Sequence, residues 1–490
     1  MSSYFLSRAL FMQQLSRFRV RVRLLCVVGA PWLLSGCVTF SPDGGMSVVA
    51  NVAGHELRKD VVAIRTPQEA EQASDAVRSF LRRPLTADTA VQIALLNNRG
   101  LQAAYNELGI AEANRVQASL PPNPTVSVGR LSGPAEIEIE KRIVANILSL
   151  ATLPARAEIA TQRFSQAQLR AAEDTLRLAA DTRRTYYRAV AQRQLAAFLA
   201  QAQSAAETAT QLARRLGETG AMNKLDQARD QVFYAELTAQ LATARQRATS
   251  ERERLTRLLG LWGADANLKL PSTLAALPRR PLALPDIEVE AIRRRVDLQI
   301  ARIEVDLMAR SYGLGQATRF INLLEVAGVS KTKKERETGE RVRDDGFELE
   351  FQIPIFDLGE VRVRQAEHSY MQAVNRLTEK AVNVRSEARD AFRAYRSTYD
   401  IAAHYRREII PLRKIISDET LLRYNAMMID VFALLAEARQ RINSNVAAIE
   451  AQRDFWLASV DLATAVTGGG VAGGGGATTA VAAGGEPAGH

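Results

Sequence analysis

The side chains in this 490-residue chain best suited to bind metal or attack an electrophile are few: four histidines, two cysteines and eight methionines. His55, His368, His404 and His490 lie far apart, without the short spacings that set imidazoles around a zinc ion. No phosphate-cradling Gly-x-x-x-x-Gly-Lys loop is present, nor a Gly-x-Ser-x-Gly turn that would expose a nucleophile. Met427-Met428 offers two soft sulfur donors, but adjacent methionines beside a helix turn fit packing better than ligation. The pattern excludes an enzyme and implies no cofactor and no metal site. One cysteine does sit where chemistry is expected.

Arg8, Arg17, Arg19, Arg21 and Arg23 form a basic stretch free of acidic residues, and Leu24 to Leu34 is an apolar run too short to cross a bilayer. Leu34-Ser35-Gly36-Cys37 follows and resembles the bacterial lipobox. That resemblance implies that residues 1–36 are a signal peptide and that Cys37 becomes the first mature residue, with lipid such as palmitate on its sulfur and amine. Cys26 leaves with the signal peptide, so acylation would consume the single thiol of the mature chain. Val38 replaces the aspartate that would resemble an inner-membrane retention signal, which favours the outer membrane. Cleavage also removes five arginines, lowering the formal charge from +10 to +5. The basic balance is therefore no nucleic-acid footprint.

The acidic residues fall into two patterned sets. Glu138 and Glu140 alternate with Ile137 and Ile139, while Glu348 and Glu350 alternate with Phe347, Leu349 and Phe351. This is the period of strands with one apolar and one polar face, and it predicts that the four glutamates line water. Asp226 and Asp430 form the second set, each just after a helix turn. Arg214 and Arg215 precede the first turn, and Arg423 and Tyr424 the second. Such groups could link neighbouring hairpins as a gate, or each aspartate could stabilise the positive end of its own helix.

Long elements must carry these residues. Strands are predicted at Thr125 to Leu131, Glu136 to Ile143, Arg319 to Val329 and Phe347 to Ile355, with Pro354 ending the last. The charged stretch Ser330 to Gly346 is predicted as a solvent loop. Residues 155–270 contain no proline, and a helix from Ala155 to Arg215 would extend about 90 Å. A glycine-marked turn near 216–223 returns the chain through Leu225, Ala228, Val232 and Ala235, spaced as a packing seam. The order then repeats: Ala94, Leu101 and Gln102 match Ala291, Leu298 and Gln299 at a constant offset of 197. The second long helix starts near Gly359, bends at Pro411 and turns near Tyr424 to Met428. The expected organisation is a tether over 37–84 with one helix near Gln68 to Leu81, repeats over 85–270 and 286–466, a proline-marked connector over 271–285, and a Gly/Ala-rich tail over 467–490.

Four strands with a lipid-facing side cannot span a membrane as an open sheet, and they are too few to close alone. Such a chain must oligomerise. The junction Ile353-Pro354-Ile355-Phe356-Asp357-Leu358-Gly359 with Ala366-Glu367, and the turns Gly220 to Asp226 and Tyr424 to Asp430, resemble those of the TolC family of outer-membrane efflux channels. The first junction, Leu150 to Arg156, departs from that family's glycine-containing form, and Ala426 stands where glycine is often seen. The resemblance implies a mainly α fold with a small membrane β-barrel: a homotrimer whose strands form a 12-stranded barrel on an α-helical tunnel. It implies a passive duct in the outer membrane of a Gram-negative bacterium, working with a periplasmic adaptor and an inner-membrane efflux transporter. The alternative is an adaptor-like coiled-coil lipoprotein, but an adaptor would carry one hairpin between small β-domains.

Overall fold

A computed structural model describes residues 39–470. The signal peptide, Cys37 and the tail beyond residue 470 lie outside the described residues. The chain divides into two compact units that cut across its repeats. Among the described residues, one comprises 39–44, Glu112–Ala160 and Leu323–Gln352; the other comprises Gly45–Ala111, Thr161–Asn322 and 353–470.

The first unit is built on an antiparallel sheet of β1 (Thr125–Ser132), β2 (Glu136–Asn146), β3 (Leu323–Glu335) and β4 (Arg341–Gln352), in that order across the sheet. Two hairpins, one from each repeat, join through β2 and β3. The predicted solvent loop Ser330–Gly346 is corrected here. β3 and β4 continue through it to a short turn, with Lys331 opposite Asp344 and Lys333 opposite Val342. Strand pairing stabilises a polar stretch whose composition alone reads as loop. The third strand correspondingly begins at Leu323 rather than Arg319, and the fourth ends at Gln352, before Pro354. Proline lacks the amide donor that would extend the ladder.

The second unit is helical. α1 (Met46–Val52) continues into a wider turn over Ala53–Leu57, so the amino-terminal segment is not an extended tether throughout. Met46, Val49 and Ala53 recur at helical spacing, and the first two pack with Val91, Leu95, Tyr105 and Phe164. α2 (Pro67–Leu81) and α3 (Ala87–Asn97) both open on capping boxes, at Thr66 with Glu69 and at Thr86 with Thr89. α4 (Arg99–Ser119) leads towards β1; after β2 come a short α5 (Ile147–Ala151), the 66-residue α6 (Leu153–Glu218) and α7 (Lys224–Leu258). The second repeat supplies α8 (Ile287–Arg294), α9 (Val296–Ala317), α10 (Glu360–His404), α11 (Ile410–Asn425) and α12 (Val431–Thr467). The wide turn Tyr405–Ile409 lies just before Pro411, where the sequence predicts a bend.

The 197-residue offset extends further than the sequence pattern revealed. Asn98 breaks the first repeat between α3 and α4, and Arg295, 197 positions later, breaks the second between α8 and α9. Their backbones match: φ −70°, ψ 116° at Asn98 and φ −59°, ψ 120° at Arg295. The connector is also more than a spacer. Its Leu274, with Leu268 and Leu270 from the end of the first repeat, sinks into the core formed by Leu85, Ile93, Val190 and Leu259.

Candidate channel-lining face and hairpin ends

Antiparallel pairing puts directly opposed residues on one face of a sheet. The registers assign Glu138, Glu140, Glu348 and Glu350 to the same face, and Ile137, Ile139, Phe347, Leu349 and Phe351 to the other. The polar face also carries Glu136, Glu325, Glu335 and Asp344, against three cations, Arg142, Lys331 and Lys333. Those cations interleave with the carboxylates. Arg142 lies 3.3 Å from Glu348 and 3.7 Å from Glu350, and Lys331 lies 3.5 Å from Glu140. Lys333 stands directly opposite Glu138. At the far end of this face Asn146 donates to Glu325 at 3.3 Å. The face is acidic in sum but partly neutralised, a feature hidden from each strand read alone because the cations arrive from neighbouring strands.

Exposure differs between the faces. Ala327 and Val329, on the polar face, are buried, whereas the alternating Val326 and Gly328 are exposed on the other. Val126, Val128, Ile143, Phe347, Leu349 and Phe351 form an apolar face open to the surroundings. Among the described residues no helix is long and apolar enough to cross a membrane. No group of three or more His, Cys, Asp or Glu among them could hold a metal ion.

The hairpin ends are helical-unit features. Asn223 caps α7: its side-chain oxygen accepts from the Asp226 amide at 2.8 Å, and its amide donates to the Asp226 carboxylate at 2.7 Å. Asp430 caps α12, accepting from the Ala433 amide at 2.8 Å. The two aspartates are therefore not equivalent, since Asp226 is the third residue of its helix and Asp430 precedes the first. Within the chain, Arg214 pairs with Glu218 and Arg423 with Glu419, one turn back or forward on their own helices. Arg215 and Tyr424 lie in the last turns of α6 and α11. None of these four is brought to an aspartate.

The residues that do join the two hairpins were missed by the sequence reading. Arg229, 3.4 Å from Asp226, places its guanidinium 4.8 Å from the Phe432 ring centre. Arg439 reciprocates over Phe233 at 5.0 Å and pairs with Glu236 at 3.4 Å. Phe233, Leu237 and Leu241 pack with Leu435, Ala438 and Ile442 behind them. The signal was the Arg229–Phe233 and Phe432–Arg439 spacings, which put a cation and a ring on one face of each return helix.

No protein-family model matches this chain, and no curated protein matches it in sequence. Solved structures do. The Campylobacter jejuni CmeC outer-membrane channel superposes with a TM-score of 0.67 at 15% identity, over 84% of this chain and 89% of that one. The outer-membrane channel OprN gives 0.65 at 17% identity, over 89% and 98%. The open state of the Neisseria gonorrhoeae MtrE outer-membrane channel gives 0.61 at 16%, over 78% and 88%. With its sheet of two hairpins and its two long helical hairpins, this chain has the fold of the TolC-type outer-membrane channels.

Proposed function

We propose that this protein is an outer-membrane channel, the passive exit duct of a tripartite efflux system. An inner-membrane transporter would deliver substrate and a periplasmic adaptor would join the two. The observation that carries this reading is the sheet: four strands, one apolar and one acidic face, and both edges, β1 and β4, unpaired among the described residues. An open edge is untenable in lipid, and three copies joined edge to edge would give a closed barrel of twelve strands. The apolar face would then meet lipid and the acidic face water. The long helical hairpins would form the periplasmic wall, and lipid on Cys37 would add a second anchor.

The test is purification from outer membranes followed by planar-bilayer recording. The expected result is a heat-dissociable trimer, acylated at Cys37 by mass spectrometry, that conducts and prefers cations. Replacing Glu138, Glu140, Glu348 and Glu350 together by Gln should move the reversal potential towards zero. A monomer without conductance would reject the duct. Anion preference, or no shift in the Gln variant, would reject the acidic face as its lining.

A further inference from the structure

The apolar face of the sheet is not apolar along its whole length. Nearest the strand ends that leave the sheet it carries Leu324 with Phe351, then Val326 with Leu349, then Val126, Ile143 and Phe347. Towards the hairpin turns the same face changes character. Lys141 stands beside Val128, the next row holds Arg130 and Arg343, and the last holds Lys334 and Arg341. All five basic side chains are exposed. Against them this face carries one carboxylate, Asp345, which binds Arg343 at 3.0 Å. Arg130, Lys141, Lys334 and Arg341 make no ion pair among the described residues. The opposite face is acidic, so the two faces have opposite charge at this end of the sheet.

We infer that this basic band is a docking surface for the phosphorylated headgroups of outer-leaflet lipid. The inference rests on the proposed membrane location of the sheet, and charge complementarity with position selects the occupant. The eight residue steps from Leu324 to Thr332, in the row of Arg130 and Arg343, span about 27 Å of strand. A strand tilted by about 40° covers about 20 Å of membrane in that length, close to the height of an apolar barrel belt. The band therefore falls at the outer edge of the hydrocarbon, at the level of lipid headgroups. Apart from Asp345 beside Arg343, the cations of this band meet no protein carboxylate among the described residues. Barrel closure would sharpen the need for an anion, because it brings a β1 edge carrying Arg130 against a β4 edge carrying Arg341 and Arg343. Guanidinium groups bind phosphate through paired hydrogen bonds, which a phosphorylated headgroup can supply to both sides of the seam.

The experiment uses full-length trimers in phosphatidylcholine vesicles containing bisphosphorylated lipid A or its dephosphorylated form. The readout is the temperature of trimer dissociation. Bisphosphorylated lipid should raise it by about 5 °C relative to the dephosphorylated lipid, as a ligand specific to the assembled state does. The variant Arg130→Gln/Lys334→Gln/Arg341→Gln/Arg343→Gln should lose most of that rise while keeping wild-type conductance in neutral bilayers. Equal temperatures in both lipids, for trimers that insert and conduct, would overturn the docking surface and leave the duct intact. Equal protection by free inorganic phosphate would overturn the lipid as occupant. Failure of wild-type trimers to insert would overturn the membrane location and the inference together.

Discussion

The two repeats follow one plan with different local chemistry, and the contrast shows which parts of the plan are backbone geometry and which are side-chain choice. At the matched helix breaks the first repeat uses a neutral amide. Asn98 donates to the Leu258 carbonyl at 2.9 Å and accepts from the Leu101 amide at 3.0 Å. The second repeat uses charge. Arg295 forks onto Asp297 at 2.9 and 3.0 Å and also binds Glu387, with Lys380 3.7 Å from Asp297. Both Arg295 and Asp297 are buried. The strand-to-helix junctions contrast in the same way. The first passes from the Asn146 cap through α5 to Thr152 with ordinary helical angles. The second turns at Gly359 with φ +70°, where a Cβ would overlap the Arg319 carbonyl oxygen. Arg362 then fastens the turn by donating to Asn322 and to the carbonyls of Thr318 and Arg319.

The largest difference between repeats is expected at the breaks. Arg295→Ala leaves Asp297 buried with weakened compensation and should cost about 3–5 kcal/mol, against about 1–2 kcal/mol for Asn98→Ala. Equal losses in urea unfolding would erase the distinction. The break in the second repeat should also be the acid-sensitive one. Burial pushes the Asp297 carboxyl up, but hydrogen bonding and charge from Arg295, helped by Lys380, outweigh it and hold it below its usual value. Its contribution is thus present above about pH 4 and lost as pH falls through the lowered value. Nearby Glu173 works in the opposite sense, its carboxyl raised by burial and by Asp297. The stability gap between wild type and Asp297→Asn should therefore narrow below about pH 4, and a constant gap would show that the carboxylate is not the acid-sensitive element.

At the junctions, Gly359→Ala should cost about 3 kcal/mol, combining left-handed strain with displacement of the Arg319 carbonyl. Thr152→Ala removes one hydroxyl bond to the Leu148 carbonyl and should cost under about 1 kcal/mol. Thermal unfolding of both variants measures the contrast, and a tolerated Gly359→Ala would mean that the second junction can relax to the first repeat's path.

The smallest difference between repeats is expected at the hairpin ends, where their chemistry converges. Asn223→Ala and Asp430→Ala each remove one helix cap and should each cost about 1 kcal/mol. The proposed gate adds a separate expectation for Asp226 and Asp430. Asp226→Ala with Asp430→Ala should raise the basal conductance of intact trimers if these groups link hairpins, through Arg229 or the arginines before the turns. A wild-type conductance with lowered stability would reduce both aspartates to helix-end residues.

The sequence by itself determined whatever is written in short periods. Alternation placed Glu138 and Glu140 opposite in direction to Ile137 and Ile139, Pro354 stopped a strand, and the 197-residue offset revealed the repeat. Each is a local steric or hydrogen-bonding constraint that a few neighbouring residues satisfy. Tertiary structure alone decided the rest. The charged run after Val329 becomes strand because β2 and β4 supply partners to its backbone and Glu140 to Lys331. Met46 and Val49 form a helix because Phe164 and Val91 cover them. Asp226 and Asp430 differ because three residues of register separate a cap from a place inside the first turn. Arg142 neutralises Glu348 and Glu350 from across two strand registers. In every such case the deciding partner lies far along the chain, so its free energy is absent from any local window and appears only when the backbone brings the two segments together.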